Sequence, residues 1–288
     1  MDGNGTADLV SIVSDNSSST TVSILSGDGH GNFQQPSAQQ TFAGIYPGPA
    51  YLADLDGDGK PDLVLSVEQL SGIGSSILWL KNTGGGFAPP TTLATAAKSA
   101  FSMADFNGDG KPDILYTMPG TTTNSLHILM NQGNGNFSDQ AASGLNGIVG
   151  LATVLDFNLD GIPDLIVQVQ QGNAGILYSF TGLGNGSFTQ VATVSTPGLT
   201  PLVAGDFDHD GFPDLAGPNG LEPSEILFFY GDGHGDFTMQ PVVGPEGEWV
   251  AVGDFNGDGI PDVVVPDQFN FVSLALGARI GSFRRRSP

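Results

Sequence analysis

The sequence predicts an all-β repeat fold, a β-propeller of four-stranded blades, on three observations. A nine-residue acidic phrase recurs five times at intervals of 48–51 residues, the spacing of propeller blades or solenoid turns. Between the copies lie short runs rich in Val, Ile and Leu, bounded by Gly, Pro, Asp and Asn, the pattern of strands and tight turns. No stretch of eleven residues holds a helical apolar period.

The copies run from Asp54 to Asp62, Asp105 to Asp113, Asp156 to Asp164, Asp206 to Asp214 and Asp254 to Asp262, and each ends in Pro-Asp. A sixth, Asp2 to Asp8, lacks its first acidic position. Six units of this length fill the 288 residues, so one repeat domain is expected over 1–288, with a basic tail at 284–288. Within a unit the order reads strand A, acidic loop, strand B, bend, strand C, Gly turn, strand D. The last unit shows it: Trp249 to Gly253, the loop, Val263 to Val265, a polar bend, then Phe271 to Leu276. The Gly turns are Gly27 to Phe33, Asn82 to Phe87, Asn131 to Phe137, Gly182 to Phe188 and Gly231 to Phe237. Their closing Phe is expected between neighbouring sheets. The first unit begins at strand B.

In an up-and-down sheet the acidic loops and Gly turns share one end, and the B–C bends share the other. The first end is stereotyped. The second varies: Glu68 to Ser75, Pro119 to Asn124, Gln170 to Gly175, Pro218 to Ser224 and Pro266 to Asn270. Variable loops on a rigid scaffold are where binding is usually found.

Oxygen side chains at alternate positions of a Gly turn suit a hard cation, and calcium takes six to eight oxygens at about 2.3–2.6 Å. Positions 1, 3, 5 and 9 supply side chains and position 7 a carbonyl. The sets are Asp54, Asp56, Asp58 and Asp62 with Lys60; Asp105, Asn107, Asp109 and Asp113 with Lys111; and Asp156, Asn158, Asp160 and Asp164 with Ile162. The last two are Asp206, Asp208, Asp210 and Asp214 with Phe212, and Asp254, Asn256, Asp258 and Asp262 with Ile260. The freedom at position 7, from Lys to Phe, fits a main-chain contact. The first unit keeps Asp2, Asn4 and Asp8 with the Thr6 carbonyl and is expected to bind weakly or not at all. Five strong calcium sites follow. An EF-hand is excluded, because its twelfth position would be Leu65, Tyr116 or Val167 instead of Glu. Zinc would want His or Cys, and magnesium stricter octahedral geometry with more water. An Asx-rich turn without metal does not require Asp at position 9.

The net charge of −22 is concentrated in these loops and argues against nucleic-acid or anionic-membrane partners. There is no cysteine, so stability rests on packing and metal. No signal peptide and no membrane-spanning apolar run are visible. Sites of moderate calcium affinity suit millimolar extracellular calcium, which favours an extracellular, cell-surface or periplasmic location.

The phrase Asp-x-Asp-x-Asp-Gly-x-Pro-Asp, followed by an apolar strand and Gly-x-Gly-x-Phe, resembles the FG-GAP (VCBS) repeat across essentially the whole chain. That resemblance implies the calcium-binding propeller of integrin α-subunits and of bacterial exported proteins and lectins. Such propellers commonly have seven blades and six are visible, so the chain is either a six-bladed ring or part of a longer one. An open end favours self-association. The implied function is recognition or adhesion, with a protein or carbohydrate held on the face opposite the metal loops or in inter-blade clefts. A polysaccharide-acting enzyme and a structural spacer are the alternatives. No Gly-x-Ser-x-Gly elbow and no Cys nucleophile are present, and no catalytic residue is assigned. His30, His209 and His234 read as solvated turn residues, and Glu68, Glu222, Glu225, Glu246 and Glu248 lie in or near the variable connections. Trp79 and Trp249 read as core, and the Arg279, Arg284, Arg285 and Arg286 cluster as a solvated tail or a strap.

Overall fold

The computed structural model describes residues 5–15, 19–34, 36, 39–43, 45–68, 75–97, 101–118, 125–145, 151–171, 174–198, 202–219, 226–240, 250–266, 272–276 and 284–285. Among them there is no helix, and every strand belongs to an antiparallel meander.

The first sheet holds three strands, β1 (Leu9–Ser14), β2 (Ser19–Leu25) and β3 (Gln39–Ala43). The second holds β4 (Ile45–Ala53), β5 (Asp62–Glu68), β6 (Ser75–Leu80) and β7 (Thr91–Ala97). The third holds β8 (Phe101–Ala104), β9 (Asp113–Met118), β10 (Ser125–Gly133) and β11 (Asn136–Ala141). Then come β12 (Leu151–Leu155) to β15 (Phe188–Thr196), with β13 (Asp164–Gln171) and β14 (Ala174–Gly182) between them. The fifth sheet holds β16 (Val203–Gly205), β17 (Asp214–Pro218), β18 (Ile226–Gly231) and β19 (Phe237–Gln240). The sixth holds β20 (Ala251–Gly253), β21 (Asp262–Pro266), β22 (Val272–Leu276) and β23 (Arg284–Arg285). Each of the five complete acidic loops joins strands A and B, and the described Gly turns close strands C and D. Gly27 bridges Phe33, Asn82 bridges Phe87, Asn131 pairs Phe137, Gly182 pairs Phe188 and Gly231 pairs Phe237. The first sheet holds no A strand among the described residues. The tail expected at 284–288 is corrected in part: Arg284 and Arg285 pair with Leu276 and Ala275 as a fourth strand. Two consecutive extended residues opposite an otherwise unpaired edge satisfy backbone groups that a free tail would leave to water.

The chain divides into two compact units, Met1–Ala142 and Ser143–Pro288. In each, consecutive sheets stack face to face and the middle sheet is buried on both sides. In the first unit, Leu63, Leu65, Val67, Leu78 and Leu80 pack against Val10, Ile12 and Val22 of the first sheet. Their neighbours Val64 and Ile77 pack the other way, onto Ile114, Tyr116 and Leu129 of the third. In the second unit, Leu215, Leu227 and Phe229 meet Ile166 and Leu177, while Ala216, Ile226 and Phe228 meet Val263 and Val265. Side chains alternate between sheet faces along a strand. A strand covered on both faces therefore reads as a nearly continuous apolar run, which is why Ile226–Phe229 is apolar throughout and Leu63–Val67 carries one polar residue, the buried Ser66.

The closing Phe residues follow the expectation unevenly. Phe237 stands edge-on to Phe157 with ring centroids 6.3 Å apart, and Phe137 packs on the cluster that holds Leu55. Phe33 is 45% exposed.

Candidate metal centres

Position 2 anchors four of the five complete acidic loops. Leu55, Phe106, Phe157 and Phe207 are buried there and drive the loop's root into the core. Phe255, its counterpart in the last repeat, is exposed. This apolar position was not singled out in the sequence, although the Asp-Phe pair of four of the five complete copies is a legible signal.

From that root the loop turns back on itself. The carboxylate at position 1 accepts the backbone N–H groups ahead of it: Gly57, Asp58 and Gly59 donate to Asp54 at 2.8, 3.1 and 2.8 Å. Asp105, Asp156 and Asp254 are gripped in the same way. The position-5 carboxylate accepts the N–H of position 7, as in Lys60 to Asp58, Lys111 to Asp109, Ile162 to Asp160, Phe212 to Asp210 and Ile260 to Asp258. Lys60 and Lys111 also place their ammonium groups on Asp58 and Asp109, at 3.2 and 2.8 Å. Those contacts hold the two carboxyls below their ordinary range.

This turn needs a left-handed backbone at position 4. Gly57, Gly108 and Gly257 sit at φ of 81°, 71° and 77°, whereas Leu159 and His209 are forced to 59° and 64°. A left-handed residue with a Cβ costs about 1–2 kcal/mol. Leu159 is also 57% exposed and loses little on truncation. Leu159→Gly is therefore expected to stabilise the second unit by about 0.5–1 kcal/mol, part of the gain being offset by the greater freedom of Gly in the unfolded chain. Urea denaturation of the two proteins measures it.

Positions 1, 3 and 5 converge. One carboxylate oxygen from each of Asp54, Asp56 and Asp58 lies within 4.8 Å of the others, and Asp206, Asp208 and Asp210 form the same cluster. In the second cluster Asp206 Oδ1 is buried and has no hydrogen-bond partner. A buried carboxylate oxygen left bare is costly unless a cation meets it, so the donor set fits a hard divalent ion.

Position 9 has a different setting. Asp62, Asp113, Asp164, Asp214 and Asp262 are wholly buried. One oxygen accepts the N–H of position 2: Leu55, Phe106, Phe157, Phe207 or Phe255, at 2.7–3.3 Å. In the four central repeats the other oxygen accepts the N–H that opens the Gly turn, at Asn82, Asn131, Gly182 or Gly231, 2.7–2.8 Å away. Asp62 also accepts the Trp79 indole N–H at 2.9 Å, so Trp79 belongs to the site as well as to the core. Position 9 thus ties the acidic loop to the neighbouring turn. In the first repeat Asp2 and Asn4 lie outside the described residues. Asp8 accepts the Gly27 N–H at 3.0 Å, and the Thr6 hydroxyl donates to the Gly27 carbonyl at 2.7 Å.

Burial pushes Asp113 and Asp164 up to about 6 and Asp214 up to about 7, and raises Asp62. Without a cation the folded protein holds these protons more tightly than the unfolded chain does. Ionisation therefore erodes stability as pH rises from about 4 and is complete above about 7. Carboxyls held low, such as Asp58 and Asp254, titrate below that window. Metal-stripped protein is expected to melt at a lower temperature at pH 8 than at pH 5.5, and thermal scans in chelating-resin-treated buffers check it.

A cleft of about 480 Å³ opens beside the second loop, lined by Asp54, Asp56, Lys111, Gln132 and Asn134. The variable bends at 69–74, 119–124, 172–173, 220–225 and 267–271 lie outside the described residues, as do Glu222, Glu225, Glu246, Glu248 and Trp249.

The repeat's geometry has its counterpart in known families. The FG-GAP-like repeat model matches residues 1–65, 105–167 and 156–217, and the FG-GAP repeat model matches 247–271. The chain belongs to the FG-GAP-like repeat family. Human integrin alpha-6 is 28% identical over 142 residues, which cover 43% of this chain and 12% of that protein. Integrin alpha-3 of Cricetulus griseus is 27% identical over 140 residues, covering 41% and 13%. The chain thus spans about an eighth of the length of these relatives. The crystal structure of the V. cholerae biofilm matrix protein Bap1 superposes with a TM-score of 0.46 and 20% identity, over 88% of this chain and 40% of that one. Among the described residues no helix is long and apolar enough to cross a membrane.

Proposed function

We propose that this FG-GAP-like chain is a calcium-stabilised β-propeller module for extracellular recognition or adhesion. The observation that carries the reading is the convergence of the position 1, 3 and 5 carboxylates in two of the repeated loops, Asp54–Asp58 and Asp206–Asp210, with Asp206 Oδ1 buried and bare in the second. Those side chains and the position-7 carbonyl form the bulk of each site. Position 9 closes it from beneath, since a hydrogen-bonded carboxylate oxygen keeps a second lone pair. Five loops are complete, and the sixth lacks its first acid. The bound ion supplies positive charge that lets the acidic turn hold its shape.

Four-stranded meanders stacked face to face within each unit support a radial array of blades in one domain over 1–288. Leu9 and Val13 are exposed on the first sheet, and an open ring end would offer them to a second copy. The cleft beside Asp54 and Asp56 combines carboxylates, an ammonium and two side-chain amides, a lining suited to a polyhydroxylated glycan or a polar protein loop. The integrin relatives support the adhesive role and an extracellular site.

Calorimetry against calcium is expected to show uptake of five ions, and a glycan array or a protein-coated surface to retain the chain in calcium and release it in chelator. Absence of calcium uptake overturns the metal reading. Product release from a bound polysaccharide overturns the non-enzymatic one.

A further inference from the structure

In three repeats the residue just before the Gly turn lies beside an acidic loop. In the second repeat it is Lys81, whose ammonium sits on Asp56 and lies 3.4 Å from Asp58. In the third it is Met130, whose sulfur accepts from the Asn107 amide at 3.8 Å. In the fifth it is Tyr230, whose buried hydroxyl has no hydrogen-bond partner and feels the Asp214 and Asp208 carboxylates. In the second and third repeats the side chain touches position 3 of the loop. The fourth repeat carries Thr181, the last Leu276 and the first Ser26. Lysine occurs at this position in the second repeat alone.

We infer that Lys81 is a tethered counter-cation that competes with the divalent ion for the Asp54–Asp62 loop, and that this position sets the affinity of each loop separately. The inference rests on the metal reading above. Asp56 is only 8% exposed at its side chain, so its charge is met by what the fold places beside it, and the fold places an ammonium there. With Lys60 also on Asp58, four carboxylates in this loop face two lysines. The Asp206–Asp214 loop has four carboxylates and no lysine. It has a bare buried oxygen instead. Two loops with the same ligand letters are thereby set far apart in affinity: the fifth repeat fills first, and the second fills late. A cation entering the second loop must displace Lys81 from Asp56 and Asp58. The Lys81 side chain, 41% exposed, can swing its ammonium into solvent on a flexible stem. Such a loop keeps its shape at low calcium and responds when calcium rises.

Trp79 makes the test specific, because its indole touches Asp62 of this loop. In a Trp249→Phe background, terbium emission excited through Trp79 reports the second loop. Lys81→Met installs the residue that the third repeat uses at the same place. It is expected to lower the half-saturating terbium concentration by about tenfold, the scale of removing an ammonium from two partly exposed carboxylates. The reverse change, Met130→Lys, is expected to weaken one of the remaining calcium sites in calorimetry by a similar factor. Half-saturation within twofold of the parent for Lys81→Met, with terbium bound by both proteins, overturns the inference and leaves the metal reading standing. Absence of sensitised emission together with absence of calcium uptake in the parent overturns both. Circular dichroism of each variant confirms that the sheets are retained.

Discussion

Stripping calcium is expected to lower the melting temperature by about 10–20 °C. Each compact unit carries at least two complete acidic loops. A site held at about a hundred times its dissociation constant contributes roughly 2.7 kcal/mol to the folded state. Two sites thus contribute about 5 kcal/mol, and about 1 kcal/mol moves the midpoint of a domain of this size by roughly 2–4 °C. The physical origin is repulsion. Without the ion, Asp206, Asp208 and Asp210 bring carboxylate oxygens within 4.8 Å of one another, with no lysine in the loop to offset them. The first unit should lose less, because Lys60, Lys81 and Lys111 already sit on its carboxylates. Differential scanning calorimetry with and without chelator, at constant ionic strength, reads the shift. Coincident curves in excess chelator and in millimolar calcium would exclude a stabilising metal.

Asp164→Ala is expected to cost about 4 kcal/mol even in chelator. Asp164 accepts from the Phe157 and Gly182 N–H groups, at 3.1 and 2.8 Å, and the residue is wholly buried. Truncation strands two donors away from water, and each stranded donor costs about 1–3 kcal/mol. Asp164→Asn should be little better, since the amide turns an NH₂ group toward one of those donors. Working in chelator separates this structural knot from any ligand role. If Asp164→Ala matched the parent there and differed only in calcium, position 9 would be purely a ligand. Chemical denaturation of the second unit, followed by circular dichroism, distinguishes the two.

Much of the fold was legible because its instructions are local. An acidic Gly turn, an apolar run and a Gly-x-Gly-x-Phe turn each lie within about ten residues, and their order prescribes an antiparallel meander without reference to anything distant. The three strands of the first sheet and the pairing of Gly182 with Phe188 follow from that order alone. So does the convergence of positions 1, 3 and 5 in the Asp54–Asp58 and Asp206–Asp210 turns, because one short turn carries all three.

Partnership across strands was not legible. The sequence presents Asp62 and Asp164 as members of an acidic row, and their burial against the next turn appears only when residues about 20 apart are brought together. The basic end became an edge strand for the same reason: Leu276 supplies the backbone that Arg284 pairs with.

The amino-acid string by itself determined the repeat, its phase, the order of strands and the acidic turns, since each depends on chemistry confined to adjacent residues. Tertiary structure decided which carboxylates are bare, which are tied to backbone and which meet a lysine. Those outcomes depend on distances between side chains that lie 17–25 residues apart, such as Trp79 and Asp62 or Lys81 and Asp56, and only stacking and hydrogen bonding of whole strands sets such distances.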